Sequence, residues 1–93
     1  MNTYLKEYKK YTKELNETLV TFDVDLFRKF YYKQRKNPNL QIPNISSELM
    51  NDDRWALGFM CKMICNIPEM SRPIVSKARE ILDGYGWDYE IFI

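Results

Sequence analysis

The chain has 93 residues, 45% of them apolar and 15% aromatic, with 14 Lys and Arg against 13 Asp and Glu and no histidine. That length makes one domain spanning residues 1–93. It buries roughly 65% of its unfolded surface, which supports one core and leaves little room for an enclosed substrate cavity. The composition excludes a disordered chain, and a net charge of +1 excludes a global electrostatic pull toward nucleic acid or anionic lipid.

The first segment, Asn2 to about Leu19, has helical spacing. Tyr4, Tyr8, Tyr11, Leu15 and Leu19 recur at steps of three and four and share one face. Its opening, MNTYLKEYKKYTKE, is charged throughout and lacks the apolar centre of a secretory signal. No segment approaches the ~20 apolar residues of a membrane span, and two cysteines without such a signal suit a reducing compartment. The expectation is a cytoplasmic protein with no membrane partner.

Thr18 to Asp25 reads two ways. Its β-branched residues favour a strand, whereas Asp23 as an N-cap favours one helix ending and another starting; the helix–turn–helix version is preferred. The second helix then runs from Val24 to about Lys36, with Leu26, Phe27, Phe30 and Tyr31 on its apolar face and Lys33, Arg35 and Lys36 at its carbonyl end. Asn37 before Pro38 stops it. A loop follows, tacked to the core by Leu40, Ile42 and Ile45. Ser46 or Ser47 caps a short helical turn, SELM.

Asn51 or Asp52 caps the most apolar helix, which carries Trp55, Phe59, Met63 and Ile67 at steps of four and is placed at the centre of the fold. Pro68 ends it. Ser71 with Pro73 opens the last helix, Arg72 to Asp83, with Ile74, Ala78, Ile81 and Leu82 inward and Gly84 as the terminating glycine. The burial expected for Trp55, Phe59, Met63, Ile74, Ala78 and Ile81 follows from these faces. In the terminal stretch, GYGWDYEIFI, Trp87, Tyr89, Ile91 and Ile93 alternate with Asp88, Glu90 and Phe92, the period of a β-strand. The fold class is therefore mainly α: a small bundle of about four helices with a C-terminal extended, strand-like segment. That segment is expected to be ordered and to pair within the chain, with a second copy, or with the sheet edge of another protein.

Little of the usual chemistry is present. Without histidine there is no Ser-His-Asp or Cys-His nucleophile and no usual general base near neutral pH. The three glycines make no phosphate-binding loop. Cys61 and Cys65, four apart on a helix, supply half a zinc site at most and read better as small core residues. Asp23/Asp25 and Asp52/Asp53 are explained by capping, and Asp88/Glu90 by the solvent face of the tail. The reading is a protein that is not an enzyme and needs no cofactor or metal.

The charge is uneven. Residues 1–36 hold nine Lys and Arg against five Asp and Glu, and residues 37–93 hold five against eight, so the halves differ in sign. The stretch FRKFYYKQRK concentrates the positive charge and interleaves it with aromatics. The expected function is a small non-enzymatic regulator or inhibitor that binds another protein, of phage or mobile-element type, such as an inhibitor of a nuclease or CRISPR effector. Its candidate contact residues are Arg28, Lys29, Tyr32, Lys33, Arg35 and Lys36 on the basic helix and Trp87 and Tyr89 on the tail; a homodimer is a further option. The alternative is a small nucleic-acid-binding regulator using the basic helix 27–36.

Overall fold

The structure, a computed structural model, describes residues 7, 9–21, 23–40, 42–67 and 70–90. Among these the ordered elements are all helical: α1 (Thr12–Val20), α2 (Val24–Gln34), the single turn α3 (Ser47–Met50), α4 (Asp53–Cys65) and α5 (Arg72–Tyr85). The Cα radius of gyration is 12.1 Å, the value of about 12 Å expected for a folded chain of this length. No helix among the described residues is long and apolar enough to cross a membrane.

The starts of α2, α3 and α4 are fixed by caps. The Asp23 carboxylate accepts from the Leu26 N–H at 2.9 Å, Ser46 Oγ from the Leu49 N–H, and Asp52 from the Arg54 and Trp55 N–H groups. Each satisfies donors that a helix start leaves open. The Thr18–Asp25 ambiguity resolves toward helix–turn–helix, because α1 runs through Thr18 to Val20 and Asp23 caps α2. The first helix is not continuous from Asn2. Lys10 and Tyr11 form a turn, which sets the Tyr11 ring edge-on to Phe30 at 5.6 Å. Tyr4 and Tyr8 lie outside the described residues.

α4 is the central element. It packs most extensively against α5 and also touches α1, α2 and α3. Phe59, Met60, Met63 and Ile64 from α4 join Leu15, Leu19, Phe27, Phe30, Ala78 and Leu82 in one buried core. Phe59, Met63 and Ala78 are buried as expected. Trp55, Ile74 and Ile81 are only half-buried, because each sits at the edge of its helix's core stripe. Leu40 is buried and Ile42 and Ile45 pack on the core, so the proline-containing loop is tacked down as anticipated.

Two features of the C-terminus differ from expectation. α5 passes through Gly84 and ends at Tyr85, with Gly86 as the terminating residue at φ 73°. The Trp87 N–H reaches back to the Leu82 carbonyl at 3.0 Å, the six-to-one closure of a glycine-ended helix. Beyond that turn, Trp87–Glu90 forms no strand. Its partner is the side of a helix. Trp87 lies on Gly58, Lys62 Nζ donates to Asp88 Oδ1 at 3.0 Å and to the Glu90 carbonyl at 3.4 Å, and Asn66 Nδ2 donates to the Tyr89 carbonyl at 2.6 Å. Gly58, Lys62 and Asn66 are four apart, one face of α4. Ile91, Phe92 and Ile93 lie outside the described residues.

Candidate functional site

The tail forms one wall of a groove of about 550 Å³, within the ~300–1,000 Å³ range of ligand-binding clefts. Its floor is the outer edge of α4: Trp55, Phe59 and Lys62. Gly86, Trp87, Asp88 and Glu90 make one wall, and Pro43 with Ile45 from the α2–α3 loop face them.

Local sequence explains each part. Gly58 lacks a Cβ, so the Trp87 indole sits flat against α4; a Cβ there would come within 2.4 Å of the ring. The indole then meets Trp55 at 5.9 Å and Tyr85 at 5.3 Å, both edge-to-face, and Trp55 meets Phe59 at 5.6 Å. Such pairs contribute ~0.5–1.5 kcal/mol each beyond their buried area. The opposite wall is held by Tyr31. Its buried ring packs on Phe59 at 6.0 Å, and its hydroxyl accepts from the Ile45 N–H at 2.9 Å while facing the Pro43 and Ile45 carbonyls at 3.4 Å.

Cations fasten the end of α5 and the tail at every second residue. The Arg54 guanidinium lies 4.6 Å from the Tyr85 ring centre, Lys62 Nζ 5.5 Å from Trp87, and Arg79 5.3 Å from Tyr89. The Tyr89 hydroxyl donates to the Asp83 carboxylate. The hydrogen bond from Lys62, and then its charge, hold the Asp88 carboxyl below the usual aspartate range. The groove therefore combines an apolar aromatic centre with a charged rim.

The residues singled out from sequence separate into three places. Trp87 is in the groove. Tyr89 is half-buried and turned toward α5, where Asp83 and Arg79 hold it. Arg28 is spent on the fold: it donates to the Met50 carbonyl at 2.7 Å, to Asp25 at 2.9 Å and to Asp53 at 2.5 Å, which joins α2 to the α3–α4 corner. The Asp53 hydrogen bond leads in raising its pKa. Lys29, Tyr32, Lys33, Arg35 and Lys36 are exposed. These four cations form no ion pair with any described residue, and Arg35 lies over the Tyr32 ring at 5.1 Å. α2 ends at Gln34, so Lys36 sits just past the helix.

The apolar spacing of α4 assigns Trp55 and Phe59 to the core, and sequence reasoning singles out neither of them, nor Lys62, as a site residue. The available signal was Gly58 inside an otherwise bulky helix, with Lys62 one turn later on the same face. Cys61 is buried and Cys65 half-buried, and both are free. Burial, with Cys65 adding to it, pushes the Cys61 thiol up to about 12. Burial also raises Cys65, against the pull of Arg79, so both stay protonated near neutral pH and behave as small apolar groups. No group of three or more Cys, Asp or Glu side chains among the described residues is placed to hold a metal ion. No protein-family model matches the chain, and no curated protein or solved structure is significantly similar to it.

Proposed function

We propose that this protein is a small non-enzymatic regulator or inhibitor that works by binding another protein through the groove between the α2–α3 loop and the C-terminal tail. The observation that carries this reading is the ready-made aromatic lining of Trp55, Phe59 and Trp87 beneath a charged rim. Large rigid aromatics in a partly desolvated cleft are the side chains that dominate binding energy at interfaces. The walls are fastened on both sides, by Tyr31 and by Lys62 and Asn66, so little ordering cost remains for the partner to offset. The small size and the opposite charge of the two halves support an inhibitor of phage or mobile-element type, acting on a nuclease or CRISPR effector.

The test is affinity purification of the tagged protein from its native host, run beside an Ile45→Ser variant whose fold is checked by circular dichroism. A protein recovered in stoichiometric amount with wild type and lost with the variant supports the reading. Equal recovery by both, from a folded variant, removes the groove from it.

A second reading has its own observation: Lys29, Lys33, Arg35 and Lys36 are free of ion pairs with described residues and flank a Tyr32–Arg35 stack. Such a face suits a single-stranded nucleic acid, with phosphates on the cations and a base on the ring. Fluorescence anisotropy with labelled single-stranded oligonucleotides tests it. Binding with a steep salt dependence favours this reading, and its absence at physiological salt returns α2 to a solvated face.

A further inference from the structure

We infer that the occupant of the groove is an extended segment of a partner protein with an apolar anchor flanked by Lys or Arg. The inference rests on the groove reading above and adds the partner's chemistry. The groove asks for an apolar side chain, since Trp55, Phe59 and Trp87 line it. The charge comes from the rim. Two carboxylates, Asp88 and Glu90, stand beside one ammonium, and that ammonium is committed: Lys62 donates to Asp88 Oδ1 and lies 5.5 Å from the Trp87 ring centre. Asp88 remains 76% exposed at its side chain, and the Glu90 carboxylate has no ion-pair partner among the described residues. The rim thus keeps a surplus of negative charge beside the aromatic lining, which attracts cations and repels anions. Both walls, residues 42–46 and 87–90, are non-helical backbone, a channel shaped for an extended chain.

The molecule carries its own reporter. Its two tryptophans are Trp55 and Trp87, and both line the groove, so tryptophan emission, excited beyond the absorption of the seven tyrosines, reads this site. The experiment titrates the full chain with three acetylated, amidated peptides that share a Leu-Phe centre flanked on each side by Lys, Gln or Glu. The expected order of affinity is Lys, then Gln, then Glu, with the Lys peptide about tenfold tighter than the Glu peptide, and the gap narrowing at high salt. Glu90→Lys, an exposed substitution, should erase most of that order without moving the melting temperature. Equal binding of all three peptides overturns the basic occupant and leaves an apolar groove. No emission change with any of them overturns the groove as a peptide site. An emission change with protein concentration alone, together with a dimer in sedimentation, shows a second copy in the groove and also overturns the inference.

Discussion

Three glycines show how far one substitution can differ by place. Gly58 sits under the Trp87 ring with room for no Cβ. Gly58→Ala gains ~0.8–1 kcal/mol of helix propensity but must push out the indole, which forfeits part of the ~1.5–3 kcal/mol its burial supplies. The expected result is a net loss of about 1 kcal/mol and a red-shifted tryptophan emission. Gly84 lies inside α5 with nothing within 4 Å of a Cβ, so Gly84→Ala should stabilise by ~0.8–1 kcal/mol. Gly86 adopts φ 73°, where a side chain costs about 1–2 kcal/mol. Denaturant melts of the three variants test all three signs. Asp88 gives a fourth outcome at this scale. Its pKa is lowered by Lys62, so the pair contributes stability above the ordinary aspartate range and loses it as pH falls through the lowered value. The melting-temperature gap between wild type and Asp88→Asn should hold near neutrality and close in acid. A gap that persists below both values would show that the charge of Asp88 is not what matters.

At the scale of elements, Tyr31 links α2 to a groove wall, and a single atom can be tested. Tyr31→Phe keeps the ring on Phe59 and removes the oxygen that accepts from the Ile45 N–H. The loss should be about 1–2 kcal/mol, since a partly buried donor is left without its partner. Hydrogen exchange should quicken first at Ile45, and unchanged protection there would show the wall is held by other contacts. The elements also show what the sequence could disclose. The caps at Asp23, Ser46 and Asp52 were legible because capping involves only residues two or three apart. The buried faces of α2 and α4 were legible because apolar spacing has a fixed period. The end of α5 was not. Gly84 and Gly86 are equivalent to a local rule, and what accompanies the extension of the helix to Tyr85 is a ring lying under Arg54, a contact distant in sequence. The tail was half legible. Alternation correctly separated Trp87 and Tyr89 from Asp88 and Glu90, but a period of two marks an extended chain with two faces, not a hydrogen-bonded neighbour. Here the neighbour is Gly58, Lys62 and Asn66, and the one hint of it, a glycine inside an otherwise bulky helix, does not say which segment lies there.

For the whole molecule, the distribution of charge separates two surfaces that the sequence had pooled into one list. The groove carries Asp88, Glu90 and the two tryptophans, while α2 carries Lys29 and Lys33 in the open, with Arg35 and Lys36 exposed just past its end. Arg28, adjacent in sequence, belongs to neither, since its three hydrogen bonds hold helices together. Reversal of Lys29, Lys33 and Lys36 to Glu should therefore leave the fold intact, because all three are exposed and none has an ion pair with a described residue to lose. Arg28→Ala should not be silent. It frees the Met50 carbonyl and the Asp53 carboxylate at the α3–α4 corner and Asp25 on α2 itself, and hydrogen bonds from a charged donor contribute ~1.5–3 kcal/mol each at most, less where their acceptors are as exposed as Asp25 and Asp53. A melting temperature lowered by Arg28→Ala and unmoved by the triple reversal would separate the structural cation from the surface ones. If the triple reversal unfolds the protein, α2 is not the open face described here. If it leaves the fold unchanged and abolishes capture of the partner, with the loss shrinking as salt rises, the partner spans both surfaces and α2 contributes electrostatic steering to a contact anchored in the groove.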